Sequence, residues 1–235
     1  MKPILFNTEM VRAILDRRKS VTRRIVKPQP ICCGPNITFT PHDDDFFLSA
    51  EKHWLRCRVC GHDPEYSREG SSISHHWKPL YRPGDILYVR ETFTKSGGEY
   101  YFRADFGSDY LDPCETLSGG YPTYCIFHIG CEGCCREPQR IYWCPSIHMP
   151  KKAARLFLRV TDVRVERLQA MSHEDAEQEG CWCDEGGLAM PLDKFADLWD
   201  STIKKANLTR YGWDANPWVW VIEFEQIRKE KAQKG

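Results

Sequence analysis

The chain has 235 residues, with 33 basic side chains balanced by 33 acidic ones and a hydrophobic content of 41%. That is enough apolar material for one elaborated soluble core or two small domains, and the balanced charge removes any whole-molecule field that would draw in nucleic acid, leaving only local basic patches for the purpose. No uninterrupted apolar run approaches the roughly 20 residues that span a bilayer, and Lys2-Pro3-Ile4-Leu5-Phe6 leads into a polar helix rather than an export signal, so a cytoplasmic setting away from membranes is expected.

In chain order, Asn7 or Thr8 caps a first helix, in which Met10, Val11, Ile14 and Leu15 recur at helical spacing and Glu9 occupies the first turn. The helix runs out in Asp16-Arg17-Arg18, where cations suit the negative end of the helix dipole. Val21 to Val26 reads as a strand, which places Thr22 and Arg24 on one face and Val21 and Arg23 on the other. Lys19 sits at the joint between helix and strand, and its long side chain can swing over the strand. An amine, a hydroxyl and two guanidiniums between Lys19 and Arg24 suit an anionic or nucleotide-like ligand, although a solvated basic turn is the plainer reading of the same residues.

From Lys27-Pro28-Gln29-Pro30 to Lys78-Pro79-Leu80-Tyr81-Arg82-Pro83 the chain shows little periodicity and holds Asp43-Asp44-Asp45 and five histidines. So long an irregular stretch is unusual inside a compact domain, and residues 27–79 read as an inserted lobe ordered by a metal clip. The 12 cysteines of a chain without an export signal call for an explanation other than disulfides, because the cytosol keeps thiols reduced. Cys57-Arg58-Val59-Cys60-Gly61 has the C-x-x-C-G form of a zinc knuckle, and Cys131-Glu132-Gly133-Cys134 is a second C-x-x-C. A structural zinc is therefore expected, with Cys33, Cys57, Cys60, Cys131 and Cys134 as candidate ligands, against buried free thiols as the alternative. Whether the two pairs share one site or each recruits its own partners stays open. Residues 107–140 form a second irregular, cysteine-rich insertion.

Strand-like runs rich in β-branched and aromatic residues cover Ile86 to Phe93, Tyr100 to Ala104, Ala154 to Val165 and Trp218 to Ile227. Ser172 with Asp175 forms a capping box for a helix over about 173–180, ended by Gly180. Leu192 to Lys205 carries Phe195, Leu198, Trp199 and Ile203 on one helical stripe. Strands outnumber helices and are punctuated by Gly and Pro, so an α+β fold is expected, a small β-barrel with helices packed on it.

Asp16-Arg17-Arg18-Lys19-Ser20-Val21-Thr22-Arg23-Arg24 resembles the G-x-K-x-x-[E/T]-x-R signature of ASCH domains, and Pro83-Gly84-Asp85-Ile86-Leu87-Tyr88-Val89 looks like the family's G-D-x-[IL]-x-[VI] strand. Met1 to Phe6, Pro145 to Pro150 and Asn216 to Phe224 are similar to ASCH proteins encoded by phages and prophages of enteric bacteria. The resemblance implies a PUA-like β-barrel over residues 1–26 and 80–228, and it does not extend to the cysteine-rich insertions. One position departs from the signature: Arg17 stands where the family has glycine, which makes the turn before the lysine more crowded and more basic.

The small bacterial ASCH enzymes that hydrolyse N4-acetylcytidine use a Lys, a Thr three residues later and a Glu within an A-E-Q-E run. By resemblance, Lys19, Thr22 and Glu179, the last within Ala176-Glu177-Gln178-Glu179, are the catalytic set here. Amide hydrolysis needs a nucleophile, a base and a stabilised oxyanion. Thr22 can supply the hydroxyl, directly or by orienting a water. Lys19 can act as base if burial makes it partly neutral, with Glu179 protonating the leaving amine or orienting the lysine; in the other division Glu179 is the base and the Lys19 ammonium supports the oxyanion. No cofactor is expected for catalysis.

Arg24, Arg90 and Glu91 are candidates for holding a phosphate or a base, and Trp218 for stacking on a base, though alternating Trp218 and Trp220 also suit a core strand. His148, between Ile147 and Met149, suits either a pocket rim or a structural role. Three functions fit these residues: an amidohydrolase of N4-acylated cytosine, a non-catalytic RNA or modified-DNA binding module, and a ribonuclease using the same pocket. The expected ligand is a nucleoside or RNA-like molecule.

Overall fold

The computed structural model describes residues 1–31, 46–49, 54–58, 64–68, 71–74, 76–96, 98–106, 143–182 and 190–233. In chain order these form β1 (Lys2–Leu5), α1 (Thr8–Leu15), β2 (Val21–Ile25), β3 (Phe46–Leu48), β4 (Leu55–Cys57), β5 (Glu65–Arg68), β6 (Ser71–Ser74), β7 (Ile86–Arg90), β8 (Phe93–Ser96), β9 (Glu99–Phe102), β10 (Phe157–Arg167), α2 (His173–Gln178), α3 (Pro191–Thr202), α4 (Leu208–Tyr211), β11 (Trp218–Ile227) and α5 (Lys229–Gln233). The fold is mixed α and β. Its largest sheet has five strands in the order β1-β7-β10-β11-β2, and β3-β4, β5-β6 and β8-β9 are separate two-stranded hairpins. Among the described residues the large sheet ends in two edge strands and does not close into a barrel. No helix among them is long and apolar enough to cross a membrane.

The chain divides into two compact units. One comprises Met1–Lys2, Ala13–Leu87 and Leu156–Gly235; the other comprises Pro3–Arg12 and Tyr88–Arg155. In the first, β10 and β11 pair antiparallel from Phe157↔Ile227 to Arg167↔Trp218, and β11 pairs with β2 from Val219↔Ile25 to Glu223↔Val21. Residues directly opposite on neighbouring antiparallel strands share a face, so Val21, Val219 and Val221 form one apolar face, and Leu168, Met171, Ala176, Phe195 and Trp199 bury against it. The second unit buries Phe6, Val11, Val89, Phe93 and Met149.

Several elements depart from the periodicity reading for local reasons. The run Ile86 to Phe93 is broken after Arg90, because Glu91 turns its carboxylate onto Arg155 and its N–H onto Met149 Sδ at 3.3 Å; pairing resumes at Phe93, which bridges to Cys144. The run Tyr100 to Ala104 ends at Phe102 and continues as a 3-10 turn over Arg103–Asp105, fastened where Arg103 N–H donates to Thr92 O at 2.9 Å. Ala154 to Leu156 lies outside β10, since Lys151–Ala153 form a 3-10 turn after Pro150, and at its other end the strand runs on to Arg167. The helix expected over Leu192 to Lys205 runs from Pro191 to Thr202, with Pro191 in the first turn where its missing N–H costs nothing. The expected insertion at 107–140 lies outside the described residues.

Candidate active site

Two helix ends build the site. α1 stops in a Schellman cap: Arg18 N–H donates to Ala13 O at 2.8 Å and Arg17 N–H to Ile14 O at 3.0 Å, around Arg17 at a φ of 59°. Arg17 thus adopts the left-handed turn that glycine would take with less strain, at a cost of about 1 kcal/mol, and delivers Lys19 to the start of β2. α2 begins with the expected capping box, in which Asp175 N–H donates to Ser172 Oγ and Ser172 N–H to Asp175 Oδ2. It ends in a second Schellman cap around Gly180, φ 98°, with Gly180 N–H on Glu177 O at 2.8 Å and Cys181 N–H on Ala176 O at 3.0 Å. Glu179 is therefore the C-cap of α2.

The two ends are fastened together. Ser20 N–H donates to Gln178 O at 2.9 Å, and a Cβ added to Gly180 would sit 2.8 Å from Ala13 Cβ. Only glycine fits there, by backbone conformation and by space. This close approach buries Lys19 and Glu179 against each other. Lys19 Nζ donates to Glu179 Oε2 and, at 2.7 Å, to the Glu179 carbonyl, one of the carbonyls at the end of α2. The Lys19 side chain is 0% exposed and that of Glu179 2%.

Burial pushes the Lys19 ammonium below its ordinary pKa, as does the charge of Arg24, while Glu179 pulls it back up; the net direction is down. Cys181, also buried, has its thiol pushed up by burial and by the Glu179 charge.

Thr22 and Arg23 are the other buried polar residues of β2. Strand alternation places them on opposite faces, and the register agrees: Thr22 lies opposite Ile222 and Arg24 opposite Trp220, whereas Arg23 lies opposite Val221. Arg23 Nη1 comes within 3.5 Å of Glu179 Oε1, and its Nη2 within 3.5 Å of Asp175 Oδ1 and 3.9 Å of Glu166 Oε2, yet among the described residues neither Nε nor Nη2 has a hydrogen-bond partner. The Thr22 hydroxyl is likewise buried and has no hydrogen-bond partner among the described residues. β2 is an edge strand. The Lys19–Glu179 pair therefore lies where charge reaches it from Arg23 on one face and from Arg24, itself held below its ordinary pKa by burial, on the other.

Of the residues singled out from the sequence, Lys19, Thr22, Arg24, Glu179 and Trp218 belong to the first unit. Trp218 is buried on β11 between Phe46, 5.0 Å away edge to face, and the Arg167 guanidinium, 4.5 Å from the ring centre. Arg90, Glu91 and His148 belong to the second unit. There Arg90 donates to the carbonyls of Met149 and Ile147, Glu91 pairs with Arg155 through both oxygens at 2.9 Å, and His148 is exposed at the end of a 3-10 turn. Cys57 is a buried free thiol on β4; Cys33, Cys60, Cys131 and Cys134 lie outside the described residues.

Arg23, Asp175 and Glu166 are absent from the sequence-based set. The signal for Arg23 is its spacing of two residues from Val21, which puts both on one face of β2. No family model, curated protein or solved structure matches the chain.

Proposed function

We propose that this chain is an amidohydrolase of the ASCH type, with a PUA-like core, that removes an acyl group from the N4 amine of a cytosine nucleoside or base. The observation that carries the reading is the buried Lys19–Glu179 pair beside a strand whose Thr22 hydroxyl is buried without a partner among the described residues. A native interior seldom leaves such groups unsatisfied, and a substrate carbonyl and amine would satisfy them.

The division of labour follows from the direction of the Lys19 shift. Burial is the largest influence on the amine and favours its neutral form, so Lys19 serves as the base and Glu179 as its electrostatic partner. The Thr22 oxygen attacks the acyl carbon while its proton passes to Lys19 Nζ. The resulting ammonium is held by the Glu179 carboxylate, which Arg23 and the α2 cap keep in place. Collapse of the tetrahedral species breaks the bond from the acyl carbon to N4, and Lys19 returns the proton to the departing amine. Water then cleaves the Thr22 ester by the same proton relay and releases the carboxylic acid. Arg24, on the Thr22 face of β2, supports the developing oxyanion or a base carbonyl.

Incubation with N4-acetylcytidine and chromatography for cytidine tests the reading. Cytidine and acetate are expected in equal amounts from the native chain and neither from Lys19→Ala; full activity in that variant would refute the assignment. The structural zinc suggested by Cys57 and its neighbours is a separate proposal, checked by metal analysis of the purified chain, where about one zinc or more per chain is expected.

A further inference from the structure

A row of alternating charge runs from the surface of the first unit to the Lys19–Glu179 pair. Arg164 on β10, Val221 on β11 and Arg23 on β2 stand opposite one another in register, so the two arginines share a face of the sheet with Val221 between them. Glu166 and Glu179 link the cations. Glu166 offers one oxygen to each arginine: Oε1 accepts from Arg164 Nε, and Oε2 lies 3.9 Å from Arg23 Nη2. Glu179 is divided in the same way, with Oε1 3.5 Å from Arg23 Nη1 and Oε2 accepting from Lys19 Nζ. At the outer end Arg164 also pairs with Asp162 and Glu223. To the side, Asp175 Oδ1 lies 3.5 Å from Arg23 Nη2 while Oδ2 closes the capping box of α2. Side-chain exposure falls along the row, from 33% at Arg164 and 29% at Glu166 to 0% at Arg23 and Lys19.

Arg23 is the joint of this row. The carboxylate oxygens around it lie at 3.5 to 3.9 Å, and among the described residues its Nε and Nη2 make no hydrogen bond. The guanidinium is thus seated by attraction to three carboxylates, weakly screened at that depth, rather than by short directional bonds. Removing one carboxylate tips it towards the other two. Without the Glu166 charge, Arg23 turns to Asp175 and Glu179, and a Glu179 carboxylate drawn to Arg23 holds the Lys19 ammonium less firmly. Without the Arg23 charge, Glu179 is left to Lys19 and holds its ammonium more firmly. The other influences on the amine are burial, which disfavours its charge, Arg24, which opposes it, and Cys181, which supports it.

We propose that Arg23 and Glu166 are positioning residues for Lys19: they divide the Glu179 carboxylate between Arg23 and Lys19, so that a carboxylate near the surface governs how readily the buried amine gives up its proton. Neither residue needs to meet the substrate. The inference rests on the reading of Lys19 as the base.

Two pH titrations of the full chain test it, one of kcat/KM for N4-acetylcytidine and one of the Lys19 Cε signal by carbon NMR, identified by its loss in Lys19→Arg. In Glu166→Gln, both the acid limb and the NMR midpoint should move to lower pH by about half a pH unit, and in Arg23→Gln both should move to higher pH by about one. Arg23→Lys, which restores the cation, should bring the midpoint back towards the native value. A merely structural role would lower the folded, active fraction at every pH and leave both midpoints in place. Glu166 is partly exposed and glutamine keeps its shape, so the first variant decides the matter even if Arg23→Gln fails to fold. NMR midpoints that stay in place, or that move to higher pH in Glu166→Gln, would overturn the inference; if the same chain hydrolyses N4-acetylcytidine, the amidohydrolase reading stands without it. Movement to lower pH in Glu166→Gln in a chain that shows no hydrolysis would support the charge row and refute the amidohydrolase reading.

Discussion

Each unit buries a carboxylate against a cation, and the two clusters are built on different terms. In the second unit, Glu91 accepts from Arg155 through both oxygens, and the remaining Arg155 nitrogen donates to both oxygens of Asp105 at 2.7 and 2.8 Å. Arg155 also lies 4.2 Å from the centre of the Phe102 ring. Every oxygen of both carboxylates is satisfied there. In the first unit, the side chains of Lys19, Glu179 and Arg23 are buried at least as deeply, but among the described residues the guanidinium of Arg23 and the hydroxyl of Thr22 retain unpartnered polar atoms. A fully satisfied buried network stiffens a fold; a partly satisfied one costs stability and is kept where a ligand completes it. The difference separates a structural cluster from a candidate active site without reference to any relative.

The contrast can be broken by substitution, beginning with the largest effect. Lys19→Ala removes the proposed base, and hydrolysis of N4-acetylcytidine should fall by about a thousandfold or more, measured as cytidine released per minute. Arg155→Met leaves Glu91 buried and uncompensated; discounting for the partial exposure of the arginine, it should cost about 2–3 kcal/mol in denaturant unfolding, with turnover per folded molecule unchanged. Gly180→Ala places a Cβ against Ala13 at a φ that strains any side chain, which should cost about 1–2 kcal/mol and also lower turnover, because Glu179 is the residue before it.

The pH dependence sharpens the same comparison. The Lys19 pKa is lowered from 10.5, so between the folded value and 10.5 the unfolded chain binds more protons than the folded one, and this residue's contribution to stability rises as pH is raised through that window. Activity should climb over the same interval as the amine loses its proton. A kcat/KM profile with an acid limb below 10.5 checks the assignment; a profile that falls with rising pH across the window contradicts it.

The apolar pattern of the sequence located β2, β11 and α3 to within a few residues, and the Ser172–Asp175 capping box located α2. The sequence also brought Lys19 and Glu179 together, through a motif resemblance rather than through physics. What local pattern could not supply was partnership. The alternation that put Val21 and Arg23 on one face was legible, but that Asp175, Glu166 and Glu179 converge on Arg23 depends on how α2 packs on the sheet. Arg90 and Glu91 are candidates because they follow a strand expected to line the cleft; their side chains hold the carbonyls of Met149 and Ile147 and the Arg155 guanidinium, contacts that no local pattern announces. The glycine missing at position 17 signalled a changed turn, and the left-handed turn is kept with arginine in its place.

The most direct test of the central claim is Thr22→Val, with turnover and unfolding measured on one preparation. The hydroxyl has no partner to lose among the described residues, so valine, of nearly the same shape, should leave stability level or raise it slightly, while hydrolysis of N4-acetylcytidine falls by about a hundredfold or more. Turnover equal to that of the native chain would contradict the account.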